Sequence, residues 1–190
     1  MQQVLAERIL PRRTAVADGL LILLGSLFIA ALAQVRVPLQ PVPITGQTLA
    51  VLLVGMALGS RRGVLAVLAY LAMGAAGLPF FTGAQSGIAY MSGATGGYLA
   101  GFIVAAALVG WLAERGWDRT LLKTLAAMVL GNLAIYALGV SWLAVLVGGY
   151  TGPSGSIALG LVPFLLGDLI KALIAALLLP MAWMVLNEKP

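Results

Sequence analysis

Residues 157–186 read IALGLVPFLLGDLIKALIAALLLPMAWMVL. A helix needs about 20 consecutive apolar residues to cross a lipid bilayer, and this run is longer. Its ionisable side chains are Asp168 and Lys171. The stretch therefore predicts a membrane-spanning helix that carries two ionisable groups inside an otherwise apolar segment.

The composition of the whole chain is also that of a membrane protein. Of 190 residues, 62% are hydrophobic and 9% are charged, whereas about a quarter of the residues in soluble domains are charged. The mean hydropathy is +1.06, which is too high for a soluble protein of this size. The 24 glycines are typical of membrane helices that pack closely through small side chains. A soluble globular domain is therefore excluded.

The apolar runs predict an all-α integral membrane protein with six transmembrane helices in the cell membrane and both termini in the cytoplasm. Residues 1–17 form a polar cytoplasmic leader, and residues 18–190 form a single membrane domain. The approximate spans are 18–34, 48–60, 63–78, 96–113, 121–148 and 157–186.

The first span also has features of a cleaved signal peptide. Arg12 and Arg13 precede it, and Ala31-Leu32-Ala33 resembles a small-residue cleavage site. The segment leads into further membrane helices, however, and its apolar length lies at the upper limit for a signal. We therefore expect it to be retained.

The distribution of Lys and Arg predicts the orientation, because cytoplasmic loops of membrane proteins are enriched in these residues. The opposite side would carry Arg36, while residues 78–96 and 149–156 have no charged side chain. The formal net charge of +5 is thus explained by topology, and we expect no nucleic-acid partner. The basic residues on the cytoplasmic side are Arg8, Arg12, Arg13, Arg61, Arg62, Arg115, Arg119, Lys123 and Lys189.

Asp168 and Lys171 are three residues apart, so they share one face of a helix about a turn apart. Ionisable groups inside a membrane are costly and usually face a bundle interior or a wet cavity. The pair therefore indicates a functional site. The alternative is a structural ion pair that only orients the helix.

Two middle spans are short, and polar segments flank their outer ends. Residues 49–60 and 64–77 would cover roughly 18–21 Å as helices, less than a hydrocarbon core of about 30 Å. The segment before the second span contains Thr45 and Gln47, and the segment after the third contains Gln85. Irregular backbone at membrane depth is tolerated where protein or a water-filled cavity receives it, and interrupted helices indicate a transporter site. Together with the last span, these segments predict one outward-facing pocket.

The residue types suit a small polar solute with an apolar body. Asp168 can accept N–H hydrogen bonds, and Lys171 can bind a carboxylate or a carbonyl oxygen. Four aromatic side chains are candidates for the apolar wall, although each alone is more typical of ordinary packing or of an interfacial belt. They are Tyr90, Tyr98, Tyr136 and Trp142.

The sequence offers no energy source of its own. It contains no Walker-type Gly-x-x-x-x-Gly-Lys-[Ser/Thr] run, so a partner is expected to hydrolyse ATP. It has no His and no Cys, which removes the commonest proton relay and the thiol nucleophile, and no cofactor is expected. The rival hypothesis is a membrane enzyme that acts on a lipid or isoprenoid with Asp168 and Lys171 as an acid–base pair. The third hypothesis is a structural assembly subunit.

A series of motifs resembles the BioY family. The resemblance covers nearly the whole chain after about residue 15 and keeps the family's order. The motifs are VPLQPVPITGQTL (37–49), GSRRG (59–63), GLPFF (77–81), TGGYLAGF (95–102), YxxGxxWL (136–143) and GDxxK (167–171).

The resemblance implies a biotin-binding S component of an energy-coupling-factor (ECF) transporter. Such proteins have six helices, bind the vitamin from outside and work with a transmembrane T component and two ABC-type ATPases. Asp168 and Lys171 match the polar pair of the family's last helix, which contacts biotin. We expect Asp168 on the ureido ring, whereas Lys171 binds the ligand or holds Asp168 in place. The expected binding set is Asp168, Lys171, Gln47, Thr45, Tyr98, Gln85, Tyr90, Tyr136 and Trp142.

Two positions depart from the family's pattern. Ala94 stands where relatives often have proline or a basic residue. If a basic residue at that position holds the ligand carboxylate in relatives, a different group, Arg36 or Lys171, is expected to hold it here. The family's small-x-x-x-small pattern in the first helix, a docking surface for the T component, is represented by Ser26 and Ala30. We expect docking to survive that change.

Overall fold

The computed structural model describes residues 3–10 and 14–187, and the described chain is mainly helical. Arg12, Arg13 and Lys189, which contribute to the predicted orientation, lie outside the described residues. The helices are α1 (Leu5–Ile9), α2 (Ala15–Gln34), α3 (Gln47–Leu58), α4 (Ser60–Ala75), α5 (Ile88–Met91), α6 (Gly96–Ala113), α7 (Leu121–Val147), α8 (Ser156–Gly160) and α9 (Leu165–Asn187).

A short antiparallel hairpin joins α2 to α3 and adds a strand element to the predicted helical architecture. Its strands are β1 (Arg36–Val37) and β2 (Ile44–Thr45). Arg36 pairs with Thr45, and Val37 pairs with Ile44. We call the end of the bundle that holds this hairpin and residues 76–95 the hairpin end. The opposite end holds α1, the α3–α4 junction and residues 114–120.

The lengths of the helices agree with the prediction of a membrane protein. Within the described residues, four helical segments are long and apolar enough to cross a membrane, namely Ala15–Gln34, Gly96–Ala113, Leu121–Val147 and Ser156–Leu186. α3 is equally apolar but has only 12 residues, and α4 has 16. Both short helices lie where the sequence predicts short spans.

The two short helices form a tight antiparallel pair at the centre of the bundle. The chain reverses between them at Gly59, whose φ of +85° is readily adopted only by glycine. Glu114 caps the start of α4, since its Oε1 accepts hydrogen bonds from Ser60 N at 2.8 Å and Ser60 Oγ at 2.7 Å. The core is centred on α3, α4 and α6, where Met56 and Tyr70 are completely buried.

Glycines allow α6 and α7 to approach each other closely. A Cβ added at Gly101 would lie 2.8 Å from Ile135 Cα and 2.9 Å from Ile135 O, which is closer than packed atoms tolerate. A Cβ added at Gly139 would collide with the ring of Tyr98. The close contact brings Tyr98 and Tyr136 to the same side of the bundle.

The N-terminal residues 1–17, predicted to be a polar leader, include an element that packs into the protein. Val4, Leu5 and Ala6 are buried, and α1 contacts α3 and α9. α2 begins at Ala15, before the predicted start at residue 18, and Thr14 Oγ1 caps it by accepting a hydrogen bond from Ala17 N at 3.1 Å. Three apolar residues are too few to suggest a span, but they are enough to anchor a short helix.

The last predicted span, 157–186, is interrupted. α8 ends at Gly160, and a 3-10 turn (Val162–Phe164) leads into α9. Pro163 explains the break, because proline lacks an N–H and disfavours a helical conformation at the residue before it. The break leaves Asp168 in the first turn of α9.

A buried carboxyl group lies at the opposite end, in the loop between α6 and α7. Asp118 is completely buried, and its Oδ2 accepts a hydrogen bond from Trp183 Nε1 at 2.6 Å. Its Oδ1 has no hydrogen-bond partner among the described residues. Burial raises the pKa of Asp118 above its ordinary value, while the Trp183 hydrogen bond and the nearby Arg119 oppose that shift.

Candidate functional site

The hairpin end contains a cavity between α3, α6, α7 and α9, which we call the inner cavity. It holds about 470 Å³ of space not filled by atoms, including the part open to solvent. It is lined by Val42, Pro43, Thr45, Gln47, Thr48, Thr82, Thr95, Tyr98, Leu99, Phe102, Ile135, Tyr136, Phe164, Asp168 and Lys171.

Asp168 is the centre of a hydrogen-bonded cluster in the inner cavity, although it is only 6% exposed. Lys171 Nζ lies 3.0 Å from Asp168 Oδ1 and donates to Thr48 Oγ1 at 2.8 Å. The Thr48 hydroxyl lies 3.3 Å from Asp168 Oδ1 and is placed to donate to it. The hydroxyl of Tyr136 donates to Asp168 Oδ2. Asp168 and Lys171 thus form an ion pair, and α3 and α7 each add a partner.

A second polar cluster surrounds Gln47 on the α3 side of the cavity. Gln47 Nε2 donates to the hydroxyl of Tyr70 at 2.5 Å. Gln47 Oε1 accepts from Thr82 Oγ1 at 3.1 Å and from Thr45 Oγ1 at 3.0 Å. Because the amide is bonded on both sides, its orientation is fixed. This cluster ties the hairpin and the loop after α4 to the start of α3.

Aromatic side chains form the apolar part of the cavity lining. Tyr98 is buried, and its hydroxyl donates to the carbonyl of Gly160 at 2.7 Å. The ring of Phe164 lies 6.2 Å from that of Tyr98 and 6.5 Å from that of Tyr136. The cavity therefore offers both hydrogen-bonding groups and aromatic rings.

A second cavity, the outer cavity, adjoins the first and shares Pro43, Thr82 and Thr95 with it. It holds about 780 Å³ of space, including the part open to solvent. The predicted site residues Gln85 and Tyr90 line this cavity and not the inner one. Its lining is Arg36, Gln40, Pro41, Pro43, Thr82, Gln85, Ala89, Tyr90, Gly93, Ala94 and Thr95.

Three predicted residues lie away from both cavities. Trp142 is 40% exposed, and its Nε1 donates to the carbonyl of Gly93 at 2.9 Å, so it supports the loop before α6. Ser26 and Ala30 are buried, and Ser26 Oγ donates to Leu23 O within α2. Both small residues therefore face the interior of the bundle, while the exposed side chains of α2 include Leu24 and Phe28.

The sequence analysis did not select several residues that the fold brings to the site. Thr48 directly follows Gln47 and completes the Asp168 cluster, while Thr82 and Tyr70 hold Gln47. Phe164 follows the helix-breaking Pro163 and lines the inner cavity. Because Thr48 directly follows the predicted site residue Gln47, it could have been selected from the sequence, whereas the contacts of Tyr70 and Thr82 depend on tertiary packing.

The loop that borders the outer cavity is held by Gln34, at the end of α2. Its Nε2 donates to the carbonyls of Phe80 and Phe81 at 3.3 Å and 3.1 Å. Its Oε1 accepts from Ala84 N at 2.9 Å. The rings of Phe81 and Tyr90 stack at 4.9 Å. The loop therefore has a defined conformation over the site.

The helices and the cavity together define a class: a multi-pass membrane protein with a small-solute site between its helices. The BioY family model matches residues 5–188. The chain belongs to the BioY family.

The comparisons with individual proteins agree with this assignment. The chain is 39% identical over 173 residues to a protein described as biotin transporter BioY from Rhizobium etli, covering 87% of this chain and 88% of that one. It is 42% identical over 146 residues to the biotin transporter BioY of Thermotoga maritima, covering 77% and 83%. It is 38% identical over 162 residues to the biotin transporter BioY2 of Lactococcus lactis, covering 83% and 85%.

The fold is that of a solved S-component. The chain superposes on the crystal structure of the S-component for biotin from an ECF-type ABC transporter with a TM-score of 0.75 and 23% sequence identity. The match covers 91% of this chain and 95% of that one. The predicted resemblance to the BioY family is therefore confirmed.

Proposed function

We propose that this protein binds biotin and mediates its uptake across the cell membrane as the substrate-binding subunit of an ECF-type transporter. The observation that carries the proposal is the Asp168 cluster, a nearly buried carboxylate that faces a largely apolar cavity. Three relatives described as biotin transporters support the ligand. The enzyme alternative finds no support, because these relatives are described as transporters.

Asp168 is the group that we expect to bind the ureido ring. A carboxylate can accept about four hydrogen bonds. Oδ1 already receives Lys171 and Thr48, while Oδ2 receives Tyr136. Oδ2 therefore keeps a position for a ligand N–H. Lys171 is held by Asp168 and Thr48, so its first role is to fix and compensate the carboxylate.

The remaining predicted residues form the rest of the proposed binding site. Tyr98 and Tyr136, with Phe164, provide the wall for the apolar ring system, and Thr45 and Gln47 shape its polar side. Gln85 and Tyr90 lie farther out. Trp142 acts through its hydrogen bond to Gly93 and not through direct contact.

The proposed topology has six spans with both termini in the cytoplasm, so the hairpin end faces outside. Residues 18–190 form the membrane domain, with α3 and α4 as its two short spans. The clustering of Arg61, Arg62 and Arg115 near the opposite end supports this orientation. Biotin would then reach the inner cavity from the outside through the outer cavity.

Energy for uptake is expected from partner subunits, namely a transmembrane T component and two ABC-type ATPases. The absence of a Walker-type run from the sequence supports this division of labour. Docking of the T component along α2 remains part of the proposal. Because Ser26 and Ala30 are buried, we expect the T component to contact the exposed apolar face of α2 directly. The two small residues would position that face by packing against the rest of the bundle.

Equilibrium binding of biotin to the purified protein in detergent tests the proposal, with other vitamins as controls. We expect tight binding of biotin and much weaker binding of the controls. A well-folded preparation that does not bind biotin would contradict the proposed ligand.

A further inference from the structure

We propose that the outer cavity is a carboxylate-binding subsite in which Arg36 is the cation, so that one bound acid extends through both cavities. The inference rests on the proposed function, since it assigns a place to the valerate tail of biotin. The two cavities share the lining residues Pro43, Thr82 and Thr95, so they adjoin each other. A ligand whose ring lies at Asp168 would therefore direct its tail toward the outer cavity.

The hairpin register places the Arg36 side chain next to the boundary between the two cavities. Arg36 on β1 is directly opposite Thr45 on β2, and directly opposed residues of an antiparallel pair project from the same face. Thr45 lines the inner cavity and bonds to Gln47, while Arg36 lines the outer one. The cross-strand pair thus lies where the two cavities meet.

Gly83 provides the space that the guanidinium occupies. A Cβ built at Gly83 would collide with Nη1 of Arg36 and lie 2.8 Å from its Cζ. The φ of Gly83 is +74°, which a residue with a side chain rarely adopts. Gln34 holds this loop through Ala84 N. The loop therefore leaves a defined place for the Arg36 side chain over the outer cavity.

Arg36 is the cation in the two cavities that is available to bind a ligand carboxylate. Among the described lining residues, the charged side chains are Arg36, Asp168 and Lys171. Lys171 already bonds Asp168 and Thr48. Within the described part of the chain, no hydrogen bond or ion pair joins the Arg36 side chain to another residue. Guanidinium binds carboxylate through two parallel N–H groups, and Gln85 and Tyr90 add neutral polar groups nearby.

The experiment compares biotin with biotinamide, which has the same ring system and no charge on the tail. Binding of each ligand is measured with the full chain in detergent, for the unchanged protein and for Arg36→Met. We expect Arg36→Met to weaken biotin binding by about tenfold while biotinamide binding changes less than about twofold. Arg36→Lys keeps the charge and should retain part of the preference for biotin over biotinamide. Higher salt should reduce that preference in the unchanged protein and in Arg36→Lys, and should have no such effect in Arg36→Met.

The control is Arg61→Met, because Arg61 is an exposed arginine at the opposite end and its loss should leave both affinities unchanged. Unaltered biotin binding in Arg36→Met, or an equal loss for both ligands, would overturn the assignment of the subsite. Retained binding of biotinamide by Arg36→Met also shows that the variant is folded. If the unchanged protein binds neither ligand, the proposed function itself fails, and the subsite fails with it.

Discussion

Thr48 and Asp168 are 120 residues apart in the sequence, yet Thr48 Oγ1 lies 3.3 Å from Asp168 Oδ1. The same hydroxyl accepts a hydrogen bond from Lys171 Nζ at 2.8 Å. One threonine on α3 therefore serves both members of the α9 ion pair. It links the two helices across the inner cavity and fixes the carboxylate relative to the cavity wall.

Replacing Asp168 by asparagine should weaken biotin binding by about tenfold to a hundredfold, because hydrogen bonds to charged groups are the strong ones. The change removes the charge that Lys171 compensates and the acceptor proposed for the ureido ring. Equilibrium binding in detergent measures the effect, and size-exclusion chromatography checks that the variant is folded. Asp118→Asn, which changes a buried aspartate at the opposite end, is the matched control. Unchanged affinity in a folded Asp168→Asn variant would contradict the site assignment.

Thr48→Val should reduce biotin affinity by about fivefold to tenfold, since it leaves Lys171 with one acceptor fewer while nearly preserving shape. Thr48→Ser retains the hydroxyl and should bind nearly as well as the unchanged protein. Binding titrations of the three proteins make the comparison. Equal affinity of the Val and Ser variants would show that the hydroxyl does not position the ion pair.

The absence of cysteine from the sequence allows the topology to be tested with single substitutions. A membrane-impermeant maleimide added to intact cells should label Tyr150→Cys, at an exposed position in the loop between α7 and α8. The same reagent should label Arg61→Cys only after the cells are opened. Labelling of Arg61→Cys in intact cells would reverse the proposed orientation.

Gly101→Ala should destabilise the protein by about 1–3 kcal/mol, because the added methyl group meets the backbone of Ile135 and overpacks the α6–α7 contact. Gly19→Ala is the matched control, since a Cβ at Gly19 meets no atom within 4 Å. Thermal unfolding in detergent should give a lower midpoint for Gly101→Ala alone. Equal midpoints would indicate that α6 and α7 are not in close contact.

The stability of the protein should depend on Asp118 in a pH-dependent way. Burial raises the pKa of Asp118 in the folded protein, so the folded state binds a proton more tightly than the unfolded state. Stability from this group is then present at low pH and is lost as pH rises through the folded pKa. Asp118→Asn keeps an oxygen acceptor for Trp183 and should be at least as stable as the unchanged protein at neutral pH, with a smaller difference in acid. Thermal unfolding midpoints of both proteins at neutral pH and in acid measure this difference. A loss of stability in the variant that does not depend on pH would contradict the prediction.

Much of the helical organisation could be predicted from the sequence because it depends on local patterns. The span 96–113 coincides with α6, since a continuous apolar run ends where Glu114 and Arg115 begin. The Asp168–Lys171 pair follows from helical spacing alone. The break at Pro163 could also have been predicted from the sequence, although the segment 157–186 was treated as one span.

The contacts that shape the site could not be read in this way because they join distant segments. Thr48 reaches Asp168, and Gln47 reaches Tyr70, only after α3, α4 and α9 have packed. Tyr136 and Trp142 were grouped as wall residues, but a spacing of six residues places them on different faces of α7. Small residues such as Ser26 pack equally well against a neighbouring helix of the same chain or a partner, so their sequence pattern does not decide between the two.

The interruption between α8 and α9 also has an electrostatic consequence. Since α9 begins at Leu165, Asp168 lies in its first turn, where the aligned peptide dipoles leave a partial positive charge. An unbroken helix through residue 163 would have placed the same carboxylate in the middle of a helix, away from that field. Pro163 therefore gives the protein a second source of positive potential beside Lys171, supplied by the backbone itself. A negative charge deep in the bundle is held there by peptide groups as well as by a side chain.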